Sequence, residues 1–112
     1  MKQDIFVYKS IEYMIEIGQN KQDNFDIIDS ANPTDIWFHV EGMSSCHVIL
    51  KTDEKIRDIP HQVLKRCAYL CKINSKAKTM NKCNISYTTI NNVTKTDIIG
   101  QVEIINYKTI SI

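Results

Sequence analysis

Apolar and polar residues alternate from the first positions of the chain. Ile5 and Val7, then Ile11, Tyr13, Ile15 and Ile17, each sit between more polar neighbours. A period of two is that of a half-buried strand, so the opening is predicted to be a β-hairpin. Gly18-Gln19-Asn20 closes its second strand with turn chemistry. Residues 21–29 are polar but carry Phe25, Ile27 and Ile28, which fits a short helix or an ordered loop, and Asn32-Pro33 breaks the segment. Alternation resumes in Asp35-Ile36-Trp37-Phe38-His39-Val40. Ile36, Phe38 and Val40 fall on one face of this strand, and Asp35, Trp37 and His39 on the other. Glu41-Gly42-Met43-Ser44 reads as a turn leading into a strand over residues 45–50, followed by a charged loop from Lys51 to Arg57.

The period then changes. Asp58-Ile59-Pro60 offers an acidic N-cap with proline inside the first turn, predicting a helix from there to about Ser75. At 100° per residue, Val63, Cys67, Leu70 and Asn74 lie within about 60° of one another, with Leu64 and Cys71 at the flank. Lys65, Tyr69, Lys72 and Lys76 gather on the far side within a similar arc of about 60°. β-Branched alternating segments return at Asn84–Ile90, Ile98–Ile105 and Tyr107–Ile112, with Asn91-Asn92 and Asn106 as turns. The expected fold is therefore α+β: an antiparallel or partly mixed sheet of about six strands, one principal helix, and residues 21–29 as a candidate short second helix. No repeat or long linker divides the chain, so residues 1–112 are expected to form a single domain.

Charge changes this picture more than composition does. The net charge is only +1. Yet residues 1–58 hold 11 acidic and 6 basic side chains, whereas residues 59–96 hold no acidic and 7 basic ones: Lys65, Arg66, Lys72, Lys76, Lys78, Lys82 and Lys95. A near-neutral total argues against indiscriminate polyanion binding, but a carboxylate-free stretch is what a local electrostatic footprint requires. The N-terminus lacks the pattern of a signal peptide and no apolar run reaches membrane-spanning length, so a soluble protein with no membrane partner is expected. Cys46, Cys67, Cys71 and Cys83 lack the dense pairing of a secreted scaffold, which fits reduced thiols in the cytoplasm.

Three groups of side chains are candidates for chemistry. Lysines on the helix and after it can neutralise phosphates, and an exposed Tyr69 or Tyr87 can stack on a base; the bland alternative is a solvated helix face. Trp37, His39 and His47 can form a surface patch that reads a nucleotide or a protein, or instead fill a covered face of the sheet. His39, Cys46, His47, Cys67 and Cys71 are zinc-type ligands, but they lack CxxC spacing, and Cys67 and Cys71 sit at i, i+4 on the core side. Buried, inert cysteines and no metal are the better account. Cys46 and His47 are neighbours in a strand, point to opposite faces and cannot form a dyad. No phosphate loop, paired carboxylates or Ser/His/Asp pattern is present, so neither catalysis nor a cofactor is expected.

Asp35-Ile-Trp37-Phe-His39-Val, followed by Ser44-Ser45-Cys46-His47-Val-Ile-Leu50, resembles the signature of the NFACT-R domain. The helix Pro60…Val63-Leu64…Cys67-Ala68…Ser75-Lys76, then Ile85-Ser86-Tyr87-Thr88, Asn92-Val93-Thr94-Lys95, Gly100-Gln101-Val102 and Lys108-Thr109-Ile110 follow in the order of that family. The likeness is strongest from about Asp35 onward. In large members the domain is one module of a ribosome-associated quality-control factor that engages the stalled large subunit and transfer RNA. Small members carry it nearly alone, some with a coiled-coil tail and an association with DNA. This chain resembles the free-standing kind; with no tail and no room for the N-terminal module of the large members, it is not expected to direct C-terminal tail synthesis. The resemblance implies a non-enzymatic, cytoplasmic domain that binds structured RNA, either tRNA or large-subunit rRNA, in or out of contact with the ribosome. The expected RNA-binding residues are Lys65, Tyr69, Lys72, Lys76, Lys78, Lys82 and Lys95, with His39 and His47 as a second tier. The alternatives are DNA binding, or a protein-interaction adaptor docking through Trp37 and His39.

Overall fold

A computed structural model describes all of residues 1–112. Six strands, Lys2–Tyr8 (β1), Ile11–Ile17 (β2), Ile36–Val40 (β3), Val48–Lys51 (β4), Asn84–Thr89 (β5) and Lys108–Ser111 (β8), form a sheet in the order β1-β2-β4-β3-β5-β8. Every pairing in it is antiparallel, so the mixed-sheet alternative is set aside. Val93–Lys95 (β6) and Val102–Ile104 (β7) pair into a separate ribbon. The alternation at 98–105 predicted one long strand. Instead, backbone N–H groups of Gln101 and Thr96 are taken by a tight loop around Ile98, leaving a short strand paired to its own neighbour.

The sheet is covered on both sides, which is why its central strands are apolar throughout. The helix His61–Ile73 (α2) packs Val63, Leu64, Cys67, Ala68, Leu70 and Cys71 against Tyr13, Ile15, Ile17, Ile36, Phe38, Val40, Val48, Leu50 and Ile85. The short helix Lys21–Asp29 (α1) and the β6–β7 ribbon cover the other face, where Ile27 and Ile28 close over Trp37 and Ile49. Thus Ile36, Trp37, Phe38 and Val40 are all buried despite strict alternation. Two layers claim the two faces of one strand.

The helix begins later than its sequence signals indicate. Asp58 ends a turn of 3₁₀ helix at Ile56–Asp58, and Pro60 occupies the cap before His61 without a side-chain capping bond. Asn20 caps α1 instead, its side chain accepting from the Asp23 N–H at 2.8 Å. The opening hairpin turns on Lys9 and Ser10, both with positive φ (49° and 67°), a two-residue connection between Tyr8 and Ile11.

Candidate nucleic-acid interface

Asp35, first residue of the Asp-x-Trp-x-His segment, is a structural anchor. It is 1% exposed. Its carboxylate accepts from the N–H groups of Asn32 and Thr52, both at 2.9 Å, and pairs with Lys51 Nζ at 2.7 Å. Those bonds tie the start of β3 to the end of β4 and compensate the buried charge. Two residues on, Trp37 lies under α1 and the ribbon. Its indole N–H donates to His47 Nδ1 at 3.0 Å. An indole nitrogen only donates, so Nδ1 of His47 is unprotonated and the proton resides on Nε2. His39 stacks parallel to Trp37, with ring centroids 5.5 Å apart and an interplanar angle of 4°. His47 meets both rings edge-on. Burial, and then the neighbouring His39, push His47 down to about 3, against an opposing contact with the Gly100 carbonyl. Burial likewise lowers His39. Both imidazoles are therefore neutral near pH 7.

Asn24 of α1 holds this cluster from the side. Its Oδ1 accepts from the buried His47 N–H at 3.1 Å. The side chain crosses Gly18 so closely that a Cβ there would lie 2.1 Å from Asn24 Oδ1. Gly18 N–H in turn donates to the His47 carbonyl at 2.9 Å.

Beside the cluster opens a cavity of about 630 Å³, lined in part by His39, Glu41, Ser44, Ser86, Ile99 and Tyr107. His39 lies near the end of β3 and Glu41 immediately follows that strand, and Ser86 is the cross-strand partner of His39. Ser86 Oγ donates to Glu41 Oε2 at 3.3 Å. A second cleft of about 500 Å³ runs along the end of the sheet to Asn74, Ser75, Lys76 and Lys78. The two share Lys21, Asn24, Ser44 and Ser45, so one concave path joins the C-terminal end of α2 to the histidine cavity.

The other sequence candidates divide between the two sides of the sheet. Lys65 and Tyr69 are exposed along one side of α2, and past its end the exposed Lys76, Lys78 and Lys82 follow. Lys72 is half-buried and donates to the carbonyls of Ile112 (3.1 Å) and Asn81 (3.4 Å). Arg66 is engaged as well, paired with Asp4 at 3.2 Å and set over the Phe6 and Tyr69 rings. Lys95 stands apart on the ribbon, ion-paired to Asp29 and over the Phe25 ring. His47 is buried and Trp37 is 2% exposed, so neither projects from the surface, while His39 is half-buried. The zinc-type residues do not converge. Cys67 and Cys71 lie beneath the α2 face and the histidines on the opposite face, and Cys46 Sγ approaches the Cys71 carbonyl at 3.6 Å. Burial pushes the Cys67 thiol up, leaving it protonated and unreactive. Glu41, Ser86, Lys21 and Asn24 were not among the sequence candidates. Only the two-residue spacing of His39 and Glu41 at the end of a strand could have signalled one of them.

The sheet, covered on both faces, with a lysine-bearing helix side joined by a cleft to a neutral aromatic cavity, defines a small α+β recognition domain. The chain belongs to the NFACT protein RNA binding domain family, whose profile matches residues 2–104. Coiled-coil domain-containing protein 25 of Mus musculus is 47% identical over 90 residues, 78% of this chain and 43% of that protein. Protein JLP2 of Saccharomyces cerevisiae is 34% identical over 93 residues, 77% of this chain and 44% of that protein. The chain thus spans less than half the length of the curated relatives it matches. The C-terminal part of the fibronectin/fibrinogen-binding protein from Streptococcus suis shares the fold, with a TM-score of 0.85 over the whole chain and 45% of that chain, at 23% identity. Family membership supports a nucleic-acid-binding role with RNA as partner. Neither the family description nor the relatives' names denote an enzyme. No helix is long and apolar enough to cross a membrane.

Proposed function

We propose that this chain binds structured RNA, a transfer RNA or the ribosomal RNA of the large subunit, in the cytoplasm and without catalysis. Phosphates are held by Lys65, Lys76, Lys78 and Lys82, with Tyr69 available to stack. The observation that carries this reading is the carboxylate-free segment from Ile59 to Thr96, whose lysines on and after α2 are mostly exposed and without acidic partners. Family membership supports the RNA as ligand. Burial of Trp37 weighs against the adaptor alternative, since its aromatic anchor does not project to a partner.

The test is binding of fluorescently labelled tRNA to wild type and to Lys65→Glu/Lys76→Glu/Lys78→Glu, with duplex DNA as competitor. Lys72 is left in place because it holds backbone carbonyls. The reading expects wild type to bind, the triple variant to lose at least about tenfold in affinity, and duplex DNA to compete poorly. Equal binding by both proteins refutes the lysine surface, and preferential displacement by the duplex refutes RNA as the ligand.

A further inference from the structure

The cavity on the face opposite α2 is lined by none of the phosphate-binding lysines proposed above, yet it is larger than the cleft that leads to them. Its volume of about 630 Å³ falls within the range usual for small-ligand sites. Its chemistry is uneven. The floor is aromatic and uncharged, with His39 lying parallel on Trp37, both histidines neutral through burial. At the edge stands one carboxylate, Glu41, steadied by the Ser86 hydroxyl. Ile99 and Tyr107, both exposed, wall the mouth. Such a floor offers phosphate no positive charge and favours a flat, neutral ring, while the Glu41 carboxylate at the edge repels an anion. One cation, Lys21, stands at the rim where the cavity meets the cleft, and Lys76 and Lys78 lie further along that cleft. A strand of nucleic acid has this same division, with charge along its backbone and flat neutral rings to one side.

We infer that the cavity receives one unpaired RNA base bearing an exocyclic amine, stacked along the Trp37–His39 pair with its edge toward Glu41, while the flanking phosphates follow the cleft to Lys76 and Lys78. A carboxylate only accepts hydrogen bonds, so Glu41 selects a base that presents an amine. Cytosine, adenine and guanine present such an amine; uracil offers only its N3–H, flanked by two carbonyl oxygens that a carboxylate repels. Glu41 is on this account the specificity-determining residue, and His39 the stacking platform. The inference rests on RNA being the ligand and adds which part of it enters the fold.

Trp37 is the only tryptophan of the chain and lies at the cavity floor, so its fluorescence reports on occupancy. The full chain would be titrated with the hexamers rC6, rA6 and rU6 and with an abasic ribose-phosphate hexamer of equal charge. Affinity for rC6 and rA6 is expected to exceed that for the abasic strand by about tenfold, the effect of stacking one base, and to perturb Trp37 emission. His39→Ala is expected to remove most of that difference. Glu41→Gln, an exposed site that leaves the fold intact, is expected to reduce the preference for rC6 over rU6. Equal affinities for all four strands with unchanged Trp37 emission overturn the inference while leaving lysine-dependent tRNA binding standing. If wild type binds neither the hexamers nor tRNA, the RNA reading fails and the base site with it. A Trp37 response equal for rU6 and rC6 that Glu41→Gln does not alter overturns the assigned selectivity.

Discussion

Gly18 and Asn24 are six residues apart in sequence and share one space in the fold, which makes a double-mutant cycle between them decisive. Gly18→Ala would place a methyl carbon 2.1 Å from Asn24 Oδ1. The Asn24 side chain must then leave, and the buried His47 N–H loses the acceptor that now sits 3.1 Å away. An unsatisfied buried donor costs about 1–3 kcal/mol, so Gly18→Ala should destabilise by about 2 kcal/mol, roughly 8 °C in Tm for a domain of this size. Asn24→Ala removes the same bond and should cost a similar amount, about 2 kcal/mol. In the double variant the nearest neighbour of the methyl group is the position-24 backbone N at 3.2 Å, an approach that a small shift relieves. The pair should therefore lose about 2 kcal/mol again rather than the sum of the single losses. Urea denaturation followed by circular dichroism measures all four proteins. Losses that add to within about 0.5 kcal/mol would refute the account, because independent sites add in that way.

Acid should weaken the fold through His47. Its folded-state value of about 3 lies below the unfolded value of about 6.5, so the unfolded chain takes up the proton first and stability falls with pH below about 6.5. The loss should reach about 2 kcal/mol by pH 5 in denaturant titrations, and a His47→Asn variant with an undiminished slope would contradict it. Asp35→Ala leaves two backbone N–H groups without their acceptor and Lys51 without its nearest carboxylate, and should cost about 3 kcal/mol or more; a loss below about 1 kcal/mol would show the anchor to be dispensable. Lys9→Asn/Ser10→Gly supplies the residues that a two-residue turn with positive φ favours, and should raise stability by about 1 kcal/mol in thermal melts, with no gain counting against the turn assignment.

Much of this fold was legible because alternation encodes faces. Ile36, Phe38 and Val40 against Trp37 and His39 separated correctly, and the core side of α2, with Val63, Cys67 and Leu70, followed from helical period. What alternation cannot state is what covers the second face. The packing of Ile27 and Ile28 on Trp37, and the β6–β7 ribbon beside them, depends on contacts distant in sequence, so the aromatic floor could not be told apart from a surface patch. The helix start was misplaced because Asp58 and Pro60 satisfy a capping pattern that the Ile56–Asp58 turn pre-empts. Lysines were legible as a charge block but not by partner. Lys72 is drawn to the Ile112 carbonyl, and Lys95 to Asp29 at the end of α1, far from it in sequence. Gly18 read only as a turn residue, since the side chain that crosses it comes from a neighbouring helix.

The most direct test of the central claim is the salt dependence of tRNA association, measured between roughly 50 and 200 mM for wild type and for Lys65→Glu/Lys76→Glu/Lys78→Glu. Each lysine that displaces a counterion contributes close to one unit of slope in log K against log salt. The account predicts a steep wild-type slope that becomes shallower by about two to three in the variant, together with the loss of affinity. Superimposable slopes and affinities would contradict it, and the lysine side of α2 would then be a solvated surface with no share in RNA binding.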